Sequence, residues 1–147
     1  MLIETLIKLF KRDLERLKTE ICLYKNESNL WVTPKDISNS AGNLCLHLVG
    51  NLNHFIGATI GNTGYVRQRD LEFSLKDVPR EALLQQVDAV IIIIENTLKT
   101  LTATDLQKEY KRRVNEDTMT TEYFLVHLTM HLAYHLGQIN YHRRLIE

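Results

Sequence analysis

Leu125-Val126-His127-Leu128-Thr129-Met130-His131-Leu132-Ala133-Tyr134-His135-Leu136-Gly137-Gln138-Ile139 carries three histidines at a spacing of four. On a helix, that spacing stacks His127, His131 and His135 along one face. Nearly everything else between Tyr123 and Leu136 is apolar, so the stretch reads as a helix with little polar face to turn towards water. A buried imidazole needs partners for its ring nitrogens. Three in a row need several, and a metal ion meets that need most directly. The other histidines are His142, further along the same segment, and His47 and His54 in an earlier one.

Helical spacing extends outward from this segment along most of the chain. Leu6, Phe10, Leu14, Leu17, Ile21 and Tyr24 follow a three-and-four rhythm over 2–24, with Lys8, Lys11, Arg12, Glu15, Arg16 and Lys18 on the other face. Residues 26–39, with Trp31 and Pro34, read as a connection in which Trp31 plugs the core. Ser40 is the expected cap of a second helix that carries Leu44, His47, Leu48, Asn51, His54 and Phe55 to a stop near Gly61. Gly50 and Gly57 lie inside it. Each costs about 1 kcal/mol against alanine, which close packing on a neighbour would justify.

Gly61-Asn62-Thr63-Gly64 is a turn, and residues 65–73 read as a charged loop folded back on the helices. A third helix is expected from about Pro79, with Asp77 as cap, to about Leu101. Its run Val90–Ile94 would also suit a buried strand. Leu83, Leu84, Val87 and Leu98 keep helical spacing over more length than strands reach, so helix is the reading. Residues 102–120 form a polar connection, and Thr118 or Thr120 opens the last helix. Four amphipathic helices in 147 residues most simply make an all-α, single-domain four-helix bundle over 1–147.

Lysine plus arginine and aspartate plus glutamate stand at 18 each. That balance gives no electrostatic reason to expect a nucleic-acid partner or an anionic membrane surface. No apolar run approaches the ~20 residues of a membrane span, and Met1-Leu2-Ile3-Glu4 onward lacks a signal-peptide core. The expected setting is cytoplasmic, with Cys22 and Cys45 as buried free thiols.

Residues four apart on a helix lie about 6 Å apart along its axis, so His131 and His135 are spaced to share one ion. His47 and His54 are two turns apart, and one of them would supply a third imidazole from the second helix. Three neutral nitrogen donors with an open position describe a catalytic zinc site, and nickel, iron or manganese would also fit. Cys45, two residues before His47, falls on nearly the opposite face. No glutamate lies between the histidines of the last helix, so a general base must come from elsewhere. Arg67, Arg69, Asp70 and Glu72 offer either a binding patch and acid or base groups, or simply a solvated turn. Tyr134 and Gln138 flank the histidine stripe and either orient a ligand or pack. His142, beside Arg143 and Arg144, reads as a surface or carbonyl-bonded histidine.

His131-Leu132-Ala133-Tyr134-His135-Leu136-Gly137-Gln138-Ile139 resembles the last-helix motif of the DinB/YfiT-like superfamily. Gly42-Asn43-Leu44-Cys45-Leu46-His47-Leu48-Val49-Gly50-Asn51-Leu52 and Gly64-Tyr65-Val66-Arg67 resemble an uncharacterised branch of it. The resemblance covers the whole length and implies a DinB-like four-helix bundle, often homodimeric. It implies a divalent metal, zinc or nickel foremost, on His47, His131 and His135. His127 would support the ligands from one turn earlier, with His54 the reserve for His47. It further implies a metal-dependent transferase joining a small-molecule thiol to an electrophile, or a hydrolase. The competing expectation is a non-catalytic, metal-stabilised helical dimer or interaction module. Leu136 stands where many members have arginine, so an anion-binding role at that position has no side chain here.

Overall fold

The computed structural model describes residues 2–111 and 118–147. Helix α1 (Leu2–Leu23) buries Leu6, Phe10, Leu14, Leu17 and Ile21, the face its spacing predicts. Asp13 is buried with them. Its carboxylate accepts from Arg12 Nε at 2.8 Å and Arg16 Nη1 at 3.4 Å, so its charge is paired. In the connection, a short 3-10 turn (Glu27–Trp31) seats the Trp31 ring against Gly42. A Cβ on Gly42 would come within 2.7 Å of that ring, which is why glycine stands there.

Helix α2 (Ala41–Leu52) begins at Ser40, whose hydroxyl accepts from the Asn43 amide at 3.2 Å. All its residues are buried, so α2 is the inner helix of the fold. It continues into a wide π turn (Asn53–Ala58) held by five-residue bonds such as Thr59 N–H to His54 C=O. The charged stretch is not all loop: Arg69–Ser74 forms a short helix, α3.

Helix α4 (Arg80–Lys99) buries Val90, Ile91 and Ile94 and exposes Ile92. Burial at i, i+1 and i+4 is helical phase; a strand would have put 90, 92 and 94 on one side. Asp77 is not its cap. That residue sits at φ +56°, Pro79 holds the cap position, and Glu27 Oε1 instead accepts from the Arg80 amide at 2.7 Å. Within the expected polar connection, Thr102 and Asp105 close a capping box on the short α5 (Ala103–Gln107). Residues 112–117 of that connection lie outside the described residues. Of the two proposed openers, Thr120 caps α6 (Thr121–Ile146), accepting from the Tyr123 amide at 3.1 Å.

The fold is therefore an all-α bundle of six helices among the described residues, four long and two short, rather than four alone. Helix α1 packs on α4 and α6, and α2 on α3, α4 and α6. No strand occurs among these residues, only an isolated bridge between Glu109 and Thr120. None of these helices is long and apolar enough to cross a membrane.

On the outside of the bundle one expectation holds, the scarcity of polar face on the last helix, and one fails. Helix α6 does turn an apolar face to water: Tyr123, Val126, Met130, Tyr134, Tyr141 and Leu145 are exposed. Their three-, four- and seven-residue spacing makes one stripe. The cysteines are both free, but Cys22 is exposed and only Cys45 is buried, its thiol pushed up to about 12 by that burial.

Phe10→Ala, at a fully buried position, is expected to cost about 3–5 kcal/mol of unfolding free energy. Ile92→Ala, on the outer face of α4, should stay within about 0.5 kcal/mol. Urea denaturation of the two variants checks both.

Candidate metal centre

His47 comes from the enclosed helix α2, and His131 and His135 from successive turns of α6. Their Nε2 atoms converge: His131 Nε2 lies 3.2 Å from His47 Nε2 and 3.1 Å from His135 Nε2. One nitrogen from each of the three rings falls within 4.8 Å of the other two.

The opposite ring nitrogens decide what these atoms carry. His47 Nδ1 is 3.0 Å from Glu72 Oε1, and a carboxylate only accepts, so Nδ1 holds the proton. His135 Nδ1 is 2.7 Å from the amide oxygen of Gln138, which makes it a donor too. With Nδ1 of each ring turned to an acceptor, the two Nε2 atoms face the same small space. Tetrahedral metal–nitrogen bonds of about 2.0–2.1 Å separate two ligand nitrogens by about 3.3–3.4 Å, close to the spacing seen. The residues fit a divalent cation.

The family described as "Protein of unknown function (DUF1572)" matches residues 3–147. The chain belongs to the DUF1572 family, within the DinB/YfiT-like superfamily. No curated protein matches it.

The DUF1572 chain builds the surroundings of His47 with some care. Arg67 Nε and Nη2 each donate to the Glu72 carboxylate at 2.8 Å, so the anion that holds His47 is itself neutralised. Gly50 leaves the room: a Cβ there would fall inside the Glu72 carboxyl group. Asn43 Nδ2 donates to the Glu72 and Leu75 carbonyls at 3.0 and 2.8 Å, tying α3 onto α2. Phe73 closes over the His47 ring at 5.0 Å between centres.

Burial is the main reason that protonation of His131 is disfavoured. The neighbouring His135, His47 and His127 add to it, and its pKa falls to about 4. His47 is also lowered, by burial foremost and against the pull of Glu72. Both rings thus resist protonation more than a free histidine does, which favours the neutral form that metal ligation requires.

The remaining sequence candidates are placed unevenly. His127 is exposed, stacks on Phe124 and His131 with ring centres 5.8 and 6.5 Å away, and stays outside the three-ring group. His54 is also outside it, edge-on to Phe55. Arg67 and Gln138 both touch the group as described. Tyr134 is exposed beside His135. Arg69 lies over the Phe73 ring at 5.1 Å. His142 is a buried core histidine, between the Tyr24 hydroxyl at 2.6 Å and the Val32 carbonyl at 2.8 Å. A cavity of about 730 Å³ opens at His135 and Gln138, walled by Ile37, Leu44, Tyr141 and Leu145. Sequence reasoning left Glu72 as one of four charges in a turn. Its signal was Gly50, three residues after His47 on the neighbouring edge of the same helix.

Gly50→Ala is expected to displace the Glu72 carboxylate and weaken metal binding by about 10–100-fold, as loss of such supporting contacts does. Calorimetric zinc titration, beside circular dichroism to show the helices intact, reads this. A second outcome concerns pH in the metal-free protein. Unfolded His131 takes up a proton as pH falls through about 6.5, whereas the folded form resists down to about 4. The unfolded state then binds more protons across that window, so stability falls as pH drops from about 6.5 towards 4. Urea melts at several pH values should show a shallower slope in His131→Leu.

Proposed function

We propose that this chain, as one domain, is a divalent-metal-dependent enzyme with His47, His131 and His135 as ligands. Zinc or nickel is the expected metal, and the expected reaction joins a small-molecule thiol to an electrophile, with hydrolysis the alternative. The observation that carries the reading is the convergence of three Nε2 atoms, two of the rings being fixed by partners on Nδ1. A bound ion would supply a Lewis-acidic centre able to hold a thiol as its thiolate.

The protein's own groups supply orientation and shelter. Glu72 and Gln138 fix the ring planes of His47 and His135, and Arg67 holds the Glu72 carboxylate in place. The cavity beside His135 has the size of a small-molecule site. Its apolar walls of Ile37, Leu44 and Leu145 favour an electrophile with an apolar body. The exposed stripe on α6 supports a homodimer built on that face, since apolar patches of this kind mark association surfaces.

That stripe also favours a second reading, a metal-stabilised dimer without catalysis. The two part at the metal: an enzyme exchanges a ligand there, whereas a structural ion is closed and mainly adds stability. Purified protein is expected to take up one zinc or nickel per chain by plasma emission spectrometry, and His131→Ala to lose it. Thiol–electrophile turnover should vanish with chelator and return with metal. Equal metal content in His131→Ala removes the site. A metal-loaded protein inert to the whole panel, with a large drop in Tm on chelation, supports the structural reading instead.

A further inference from the structure

The carboxamide of Gln138 has two ends, and the three-histidine group uses one of them. Its oxygen accepts from His135 Nδ1 at 2.7 Å. An amide whose oxygen is fixed in this way still has an NH2 group with two hydrogens to give. Those hydrogens meet no acceptor among the described residues. The residue is exposed, so an incoming molecule can reach it.

Position 138 is the middle of the α6 wall of the cavity. Tyr134 and His135 lie one turn before it and Tyr141 and His142 one turn after, and all five line the same space of about 730 Å³. Long side chains on a helix lean towards its N-terminus, as the bond to His135 shows. The amide therefore lies at the His135 end of the wall, beside the three-ring group. The two imidazoles of this wall are already committed: His142 to Tyr24 and Val32, and His135 to Gln138 and His131. Across the cavity stand Pro34, Ile37 and Leu44, with Lys35 and Asp36 offsetting each other in charge. Such a lining suits an uncharged molecule with an apolar body, and an acceptor on that body finds its donor at Gln138.

We infer that Gln138 determines specificity, its amide N–H groups donating to a carbonyl oxygen on an uncharged, apolar-bodied substrate seated in this cavity. One side chain then orients a histidine of the group with its oxygen and selects the substrate with its nitrogen. A donor placed this way discriminates, because a molecule without the acceptor excludes water and leaves the N–H groups unpaired. The inference rests on the enzyme reading above, whereas the binding preference it predicts is measured without an ion.

Gln138→Glu separates the two roles, since a carboxylate still accepts from His135 Nδ1 but has no hydrogens to donate. Acetophenone and ethylbenzene serve as probes, alike in size and aromatic body and differing in the carbonyl. NMR titration of the metal-free full chain, where no ion competes for the carbonyl, should shift amides of 34–39 and 134–146 with both probes. Acetophenone is expected to bind about 3–10-fold more tightly than ethylbenzene. Gln138→Glu should lose that preference while holding ethylbenzene within about twofold of the parent. Its zinc affinity, from competition with a chromophoric chelator, should be no lower than the parent's. A parent with no preference for acetophenone overturns the inference, as do shifts confined to other parts of the chain. So does a Gln138→Glu that keeps the preference, the result expected of a purely orienting side chain. Should the glutamate variant fail to fold, Gln138→Met, which also lacks donors, is read in the same titration. If the parent takes up no zinc, the enzyme reading falls, and the probe preference alone still decides the role of Gln138.

Discussion

A protein that points three imidazole nitrogens at one another must hold the rings there by the force of its surroundings. Here the force comes from the enclosure of α2. Because each residue of that helix is buried, its rotation about its own axis is fixed by packing on several sides. His47 can then face only α6, and the two α6 rings one turn apart complete the group. Without a metal the rings are joined by ring-nitrogen hydrogen bonds, and a cation would take the place of the shared proton.

The supporting contacts come from three different parts of the chain. Glu72 arrives on α3, Gln138 from the same helix as its histidine, and Arg67 from the segment leading into α3. Each donates or accepts at an atom remote from the shared space. The group's chemistry is thereby set by side chains that would never touch a bound ion, and two absent ones matter as much. The bare Gly50 admits a carboxylate, and the bare Gly42 admits an indole that closes the start of α2.

Much of this was legible in the chain before any coordinates. The rhythm Leu6, Phe10, Leu14, Leu17, Ile21 gave α1, and the His131–His135 spacing marked the site, because both depend only on helical periodicity. The resemblance singled out His47 over His54, and the fold brings His47 to the pair. What periodicity could not give were features set by contacts distant in sequence. Glu27 displaced Asp77 as the partner of the α4 terminus from 53 residues away. The helix α3 forms where Asn43 captures its carbonyls, which no local pattern announces. His127 shares the stripe of His131 and His135 but is exposed and stays outside the three-ring group, so equal spacing concealed unequal surroundings.

The wide turn that ends α2 has an evolutionary corollary. A π turn is what an α-helix makes of a single inserted residue when both of its flanks are already committed to partners. Here those commitments are His47 upstream and, within the turn itself, Phe55 with its Tyr110 and Phe124 neighbours. Length differences of one residue among relatives should therefore collect within 53–58, where a deletion merely relaxes the turn. Anywhere earlier in α2 the same deletion would swing the upstream half by about 100° and unseat it from its neighbours.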